Sequence, residues 1–483
     1  MTTIRRALGF AFGSAYATSI LTFVTSLYIA RALSPAEIGL FSIAAAIGAI
    51  ATKLRGMGLS AYIVQEQELT PDRIRTASGV LFLASWSLGL LMVLGSGPVA
   101  RYYDNDAIAE LLKILAVGFG FIPIGGTTLS LLTRNLQFGV TSSIEVASSV
   151  ASACTAVFLA SQGFGYLSLA WASVAGIAMT AILSLFFRDT QVHWFPNLKE
   201  WRRVLGFGVY VVGGYLVGQL RGSAYELIVG KIAGPTQLAF LARAGGLAGF
   251  LSNIVSGAIQ KVFFSYLGQD IREGREIKSM YLKILTHTTG VAWPMLAVLG
   301  ILSGPVVLTL YGPQWLASVD LARYTALATA LGVPFWMFAQ ILNAFGLAKV
   351  LMKYQLVLLA LAIIVAIVVA PYGIYALAVS SVPYTLITGA MMWWILQPLV
   401  GFRVLDFLRA CKSSFLLTLL CSVGALACLS IIGTRLPDWA TMLIGTGVSA
   451  LLWLGGLFWL HHPVADELVS VVDKLRVRLY SGG

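Results

Sequence analysis

Long apolar runs, separated by short clusters of charged residues, glycine and proline, dominate the pattern of the chain. A membrane-spanning helix needs about 20 mostly apolar residues, and runs of this length recur along all 483 positions. The pattern therefore predicts an all-α polytopic membrane protein with about fourteen transmembrane helices. The predicted spans are 7–31, 35–58, 75–95, 107–131, 140–160, 164–187, 204–230, 235–260, 277–303, 317–345, 349–370, 373–400, 411–432 and 437–460.

Composition supports this prediction and excludes a soluble globular class. Hydrophobic residues make up 58% of the chain and charged residues only 11%, whereas soluble domains carry about twice that charged share. The four cysteines all lie in apolar runs. Since buried cysteine behaves as a small hydrophobic residue, neither a disulfide framework nor a metal site is expected.

Two hairpins repeat one pattern, at residues 30–44 and 230–244. In the first, Ser34 can cap a helix that begins with proline, and Glu37 stands at the third position of a capping box. Gly234-Pro235-Thr236-Gln237 repeats this arrangement. Further pairs recur in the same order, which indicates an internal duplication. These pairs are Ser96-Gly97-Pro98 with Ser303-Gly304-Pro305, Asn135 with Asn343, and Gly165-Tyr166 with Gly373-Ile374.

The duplication predicts how the chain is divided. Residues 1–187 form one six-helix bundle and residues 204–400 a second, joined by a basic cytoplasmic linker at 188–203. Because six is an even number, both bundles enter the membrane in the same direction, as a parallel repeat. Two additional transmembrane helices follow at 401–460, and 461–483 reads as an amphipathic tail on the cytoplasmic face.

Positive charge is distributed unequally between the two predicted sides. Of the 32 Lys and Arg residues, 24 fall on the side of both termini, six on the other side and two within spans. Since Lys and Arg are retained in cytoplasmic loops, both termini are expected in the cytoplasm. The net charge of +12 therefore reports orientation, and no nucleic-acid partner is predicted.

Three of the charged residues within predicted spans flank the second hairpin, namely Arg221, Glu226 and Arg243. A charge at the bilayer centre costs about 2.5–3.5 kcal/mol on insertion scales, so these side chains should face the bundle interior or a wet cavity. Arg221 and Arg243 flank one hairpin and should both lie roughly 15–18 Å deep. Two interpretations stay open, an ion pair between Glu226 and Arg243 or a cavity role for the arginines. The first-half counterparts are neutral: Leu21, Ser26 and Ile43.

Three more charged residues lie near predicted helix ends. Lys53 and Arg55 end the second span, where they can snorkel to the interface or form a cytoplasmic landing site for an anionic headgroup. Glu145 lies about a turn and a half inside the fifth span. Solvation at a helix end is its simpler role, and proton coupling is the alternative.

Four segments carry a resemblance to a known family. They are RGMGLSAYIVQEQELTPDRIRTA (55–77), LTRNLQFGVTSSIEV (132–146), SAYELIVGKIAGPTQLAFLARA (223–244) and YGPQWLASVDLAR (311–323). In this order they resemble the Wzx-type polysaccharide and O-antigen flippases, especially the colanic-acid-exporter branch of the multidrug/oligosaccharidyl-lipid/polysaccharide exporter superfamily. The resemblance implies two six-helix bundles that form a V around a central cavity, in a bacterial inner membrane.

The resemblance also implies a cargo and its partners. The cargo would be an oligosaccharide repeat unit on undecaprenyl pyrophosphate, turned from the cytoplasmic to the periplasmic leaflet, with the polymerase and chain-length regulator of the pathway as candidate partners. Substrate binding is assigned to Arg221, Arg243, Lys53 and Arg55, because arginine makes paired hydrogen bonds to phosphate. Glu226 and Glu145 are the candidate coupling or ion-pair acids. No cofactor is expected beyond an H⁺ or Na⁺ gradient.

Two other classes of protein are alternatives to the flippase hypothesis. An ion-coupled drug or metabolite antiporter of the same superfamily would need an acid-rich ion site, and this chain has few acids in its spans. A membrane polymerase, ligase or acyltransferase should show a large outer loop, and the predicted outer loops are short. The sequence therefore favours a flippase that uses alternating access, and not an enzyme.

Overall fold

The computed structural model describes residues 2–56, 62–64, 66–188, 197–199, 201–272 and 277–480. Regular structure in these residues is helical, as predicted. The longer helices are α1 Thr2–Ala32, α2 Pro35–Arg55, α3 Pro71–Tyr103, α4 Ala107–Arg134, α5 Phe138–Ser161, α6 Leu167–Phe186, α7 Trp201–Ile232, α8 Pro235–Arg272, α9 Ile277–Ile301, α10 Ser303–Tyr311, α11 Ser318–Gly332, α12 Phe338–Ala344, α13 Ala348–Val369, α14 Ile374–Val400, α15 Val404–Ile432, α16 Asp438–Trp459 and α17 Pro463–Tyr480.

Twelve segments of the described chain are long and apolar enough to cross a membrane, and each coincides with one of the predicted spans. The predicted spans 7–31 and 204–230 fall in α1 and α7. One segment, Ser318–Ala344, consists of α11 and α12 with the 3₁₀ turn Val333–Phe335 between them. Pro334 accounts for this break, because proline removes a helical N–H and its ring crowds the preceding turn. The chain is therefore a multi-pass membrane protein.

The chain divides into two compact units. Unit 1 comprises Met1–Ala239 and Met352–Pro371, and unit 2 comprises Phe240–Leu351 and Tyr372–Gly483. In unit 1, α3 packs on α4, α5 on α6, and α2 on α7. In unit 2, α9 packs on α15, α15 on α16, and α11 on α14.

Unit 1 confirms the local structure predicted at the repeated hairpins. The Ser34 backbone N–H donates to the Glu37 carboxylate at 2.8 Å, and the Glu37 N–H donates to Ser34 Oγ at 3.3 Å, which completes the capping box. Gly234 has φ +90°, a conformation that favours glycine at a turn. A Cβ at Gly39 would collide with the carbonyl of Pro235. The starts of the two repeated helices therefore lie in close contact.

The predicted linker 188–203 is described at 188, 197–199 and from 201 onward, and its residues 189–196 and 200 lie outside the described residues. Asn197 is fastened to α3. Its N–H donates to the Arg75 carbonyl at 3.3 Å, and its side-chain oxygen accepts from the Thr76 hydroxyl at 2.5 Å. A Cβ at Gly79 would collide with the Asn197 carbonyl, so only glycine allows this approach. The end of the linker is thus held by the first bundle.

The tail helix α17 docks on unit 2 through its first turn. Val464 and Ala465 are buried with Leu417 of α15 and Leu457 of α16. His462, just before α17, packs so closely on Gly290 of α9 that a Cβ there would overlap the imidazole ring. The predicted amphipathic tail is therefore a helix from 463 to 480, and 481–483 lie outside the described residues.

Candidate functional site

Unit 1 contains a cavity of about 400 Å³ at the end of α2. That volume falls in the range of small-ligand pockets. Its walls come from α2, α3, α4, α6 and the short segment at Val64. The lining residues are Thr52, Arg55, Gly56, Val64, Leu81, Phe121, Ile122, Gly125, Gly126, Leu129, Ser130, Thr133, Ile177, Thr180 and Ala181. The wall is thus mainly apolar, with hydroxyl groups and one guanidinium.

Two consecutive glycines of α4 allow its neighbours to approach. A Cβ at Gly125 would lie 2.8 Å from the Ser184 hydroxyl on α6, and one at Gly126 would lie 2.7 Å from Leu81 on α3. Both distances are shorter than real side-chain contacts, so a larger residue at either position would displace the Ser184 or Leu81 side chain. The sequence pair Gly-Gly therefore leaves room for these two side chains beside the cavity.

Arg55 is the charged hydrogen-bond donor among the described residues that line this cavity. Its Nε is buried and has no hydrogen-bond partner among the described residues. The hydroxyls of Ser130, Thr133 and Thr180 each donate to a backbone carbonyl one turn earlier in their own helix, at 2.8–3.0 Å. Since their hydrogens are already used, a ligand anion would take its hydrogen bonds from the guanidinium and from the Thr52 hydroxyl.

Lys53 and Arg55, paired in the sequence prediction, have different environments. Two residues on a helix differ by about 200° in direction. Lys53 is exposed and is not among the residues that line the cavity, whereas Arg55 is half-buried and lines it. The structure therefore separates an exposed lysine from a cavity-facing arginine.

Neighbouring arginines of unit 1 are already engaged. Arg134 Nη1 donates to the carbonyls of Ile63 and Glu66, each at 2.7 Å. Arg73 Nη1 lies 3.4 Å from the Glu66 carboxylate. These two cations are bonded to Ile63 and Glu66, so they are poor candidates for binding a ligand.

The other candidates of unit 1 lie on α5 and α7. Arg221 and Glu226 are both half-buried on α7, and Glu145 is exposed on α5. None of the ion pairs among the described residues of unit 1 includes Glu226.

Arg243 belongs to unit 2, where it lies against two aromatic rings. Its guanidinium carbon is 5.6 Å from the ring centroids of both Tyr311 and Trp315. Tyr311 is 2% exposed and Trp315 is fully buried. Tyr311 ends α10 and Trp315 follows it in a 3₁₀ turn. Both lie about 70 residues from Arg243 along the chain, so no helical spacing could have indicated the contact. Both rings belong to the segment YGPQW (311–315), which in the sequence indicates only the family resemblance.

Comparison with known proteins places the fold and the family. Residues 28–320 match a family model described as "Polysaccharide biosynthesis protein". The succinoglycan biosynthesis transport protein ExoT of Rhizobium meliloti (strain 1021) is 27% identical over 367 residues, which cover 74% of this chain and 72% of that protein.

Solved structures of two transporters share the fold. The lipid II flippase MurJ in an inward closed conformation superposes with a TM-score of 0.74 at 16% identity, covering 92% of this chain and 97% of MurJ. An inward-facing multidrug resistance MATE family transporter of the MOP superfamily gives 0.63 at 14% identity, covering 80% and 94%. The family model and these neighbours confirm the resemblance inferred from the sequence motifs and the predicted fold class.

Proposed function

The chain belongs to the polysaccharide biosynthesis protein family, and from this premise we propose that it is a flippase for lipid-linked oligosaccharides. Its cargo would be the repeat unit on undecaprenyl pyrophosphate, moved from the cytoplasmic to the periplasmic leaflet by alternating access. Two likenesses support this, the relative named for succinoglycan transport and the fold shared with a lipid II flippase. The bacterial inner membrane is the proposed location, with both termini in the cytoplasm.

The cavity at Arg55 is the observation that carries the proposal. Sugar hydroxyls and a diphosphate cannot enter hydrocarbon without hydrogen bonds, because each unsatisfied polar group costs several kcal/mol. A guanidinium with a buried, unused Nε beside a cavity of about 400 Å³ supplies both charge and space. Its planar fork suits phosphate oxygens and keeps its proton.

The remaining charges have proposed roles in the same cycle. Arg221 and Arg243 would contact the cargo's diphosphate during its passage, and Lys53 would attract it electrostatically at the cytoplasmic surface. Glu226 or Glu145 would carry the proton or sodium ion if a gradient supplies energy. The polymerase and chain-length regulator of the pathway would receive the repeat unit outside. The lipid bilayer holds the lipid tail throughout.

A reconstituted translocation assay tests the proposal. The purified chain is placed in proteoliposomes that contain a fluorescent polyprenyl-diphosphate oligosaccharide, and protection of the sugar from a membrane-impermeant glycosidase reports its movement. Losing one charged hydrogen bond costs about 1.5–3 kcal/mol, so Arg55→Gln should lower the initial rate roughly tenfold or more.

Lys113→Gln is the matched control, since it removes the same charge from an exposed position of α4 that is not among the residues lining the cavity. Its rate should stay within about fivefold of the wild type, because a surface charge contributes less than about 1 kcal/mol. Equal losses in both variants would remove the cavity from the mechanism. If the unmodified chain moves no oligosaccharide but exchanges a cationic drug for protons, the antiporter is the correct function.

A further inference from the structure

Arg243 of α8 lies against two aromatic rings of unit 2, and other contacts of that unit hold the rings in place. Trp315 is fully buried and meets Phe240 edge-on, with ring centroids 5.7 Å apart. The Ser318 hydroxyl donates to the Phe240 carbonyl at 3.0 Å, which ties the start of α11 to the start of α8. The rings beside Arg243 therefore cannot move away without disrupting several other contacts.

The charge of Arg243 is not neutralised within unit 2. Its Nε is buried without a hydrogen-bond partner among the described residues, and none of the ion pairs of that unit's described part includes it. Arg323 of the same unit gives the contrast. It donates to Asp320 at 2.8 Å and to Ser303 at 3.1 Å. One arginine is thus satisfied by protein groups and the other is not.

Aromatic rings attract a guanidinium without neutralising it. A cation–π contact contributes about 0.5–2 kcal/mol through the ring quadrupole, but the cation keeps its full charge and its N–H groups stay in the guanidinium plane. A buried, unpaired charge is otherwise expensive. In Arg243 the unpaired charge is retained and two rings restrict the orientation of the guanidinium. This arrangement is suited to binding an anion.

We propose that Tyr311 and Trp315 are positioning residues that hold the Arg243 guanidinium ready for a phosphate-class anion. This inference rests on the proposed function, since the diphosphate of the cargo is the anion that the flippase must carry. The rings restrict the plane of the guanidinium, so that its free edge meets phosphate oxygens in pairs. Neither ring contacts the anion itself.

Binding to the full-length chain in nanodiscs tests the proposal. Isothermal titration with sodium pyrophosphate forms one arm, and nanodiscs doped with a polyprenyl diphosphate form the other. Arg243→Gln should weaken binding about tenfold in at least one arm, as expected for a lost charged hydrogen bond. Arg323→Gln, which removes the same charge from a satisfied arginine, should leave the affinity unchanged. An effect in the lipid arm alone identifies the lipid headgroup as the source of the anion, and an effect in the pyrophosphate arm alone identifies the free anion.

The positioning role is tested by ring variants in both backgrounds. Trp315→Leu should weaken binding severalfold, Trp315→Phe should largely restore it, and Trp315→Leu should have no further effect when Arg243→Gln is present. Thermal unfolding of each variant identifies loss of folded protein. Unchanged affinity of Arg243→Gln in both arms overturns the proposal, as does a Trp315→Leu variant that loses only stability while the folded fraction binds normally.

These outcomes are separate from those of the flippase proposal. Pyrophosphate binding could depend on Arg243 and Trp315 while no oligosaccharide is moved in proteoliposomes. In that case the positioning role of the rings is confirmed and the proposed cargo is wrong. If oligosaccharide moves but anion affinity is indifferent to Arg243, the flippase stands and this inference falls.

Discussion

Acidification should release the tail helix from the rest of unit 2, because protonating His462 is unfavourable where it lies. The Val464 N–H donates to its Nδ1 at 3.3 Å, and its Nε2 lies 3.1 Å from the Ser414 hydroxyl. With Nδ1 used as an acceptor, the imidazole is neutral and its single hydrogen is on Nε2. The side chain is 1% exposed. Burial, and secondarily the charge of His287, lower the pKa of His462 to about 4.

The sign and size of the effect follow from proton linkage. In the released state the pKa of the imidazole returns to about 6.5, so that state binds more protons below this pH and docking weakens as the pH falls from about 6.5 toward 4. A pH of 5 lies about 1.5 units below the pKa of the released histidine, which is therefore protonated, while the docked histidine stays neutral. At 1.36 kcal/mol per unit, docking loses about 2 kcal/mol, or roughly thirtyfold in the equilibrium.

Hydrogen exchange followed by mass spectrometry measures this directly. After correction for intrinsic exchange, protection of the α17 amides should fall by about thirtyfold between pH 7.5 and pH 5. His462→Gln keeps a polar side chain that does not titrate, so its protection should be lower at pH 7.5 but flat across the range. A wild-type profile parallel to that of His462→Gln would refute the reasoning, since the pH dependence would then come from other groups.

Two further predictions concern unit 1. The ion pair between Lys231 and Asp104, 2.9 Å long with side chains 32% and 83% exposed, should contribute about 0.2–1 kcal/mol. Asp104→Asn, which keeps a side chain suited to the left-handed φ of 54° at this position, should therefore lower the melting temperature slightly and at low salt most. A double-mutant cycle with Lys231→Gln should give a coupling energy of the same size. Gly79→Ala should displace Asn197, lower the free energy of unfolding by about 1–3 kcal/mol and speed proteolysis of the linker. Gly95→Ala on the same helix is the control, because a Cβ there meets nothing within 4 Å, and it should change neither stability nor proteolysis. Equal proteolysis of the two glycine variants would show that the contact between Gly79 and Asn197 does not hold the linker.

The span pattern could be predicted because the bilayer imposes a length that a run of apolar residues reveals directly. The hairpin at Ser34 was also predictable, since a capping box is a contact between residues three apart. The break at Val333–Phe335 was harder to place. Proline within a span permits a kink, a 3₁₀ turn or an undisturbed helix, and Pro123 lies inside the continuous helix α4. Which of these occurs is decided by packing, which the sequence does not display.

Charged residues were the easiest part of the site to find and the hardest to interpret. Lys53 and Arg55 have the same charge and nearly the same position in the sequence, yet only Arg55 lines the cavity. That difference depends on where α4 and α6 lie. Arg243 similarly stood out as a charge within a span, but its environment is made by Tyr311 and Trp315. Such contacts depend on tertiary packing between segments far apart in sequence.

The basic residues of the chain therefore differ by what satisfies them, and this difference carries the functional argument. Arg134 donates hydrogen bonds to backbone carbonyls, and Arg323 donates to a carboxylate and a hydroxyl. Both are explained by the protein alone. Arg55 and Arg243 each keep a buried Nε without a described partner, and one borders a cavity while the other lies on aromatic rings. A buried N–H group left without a hydrogen bond costs about 1–3 kcal/mol. Among the described arginines, Arg55 and Arg243 are therefore the ones where an arriving anion would gain most.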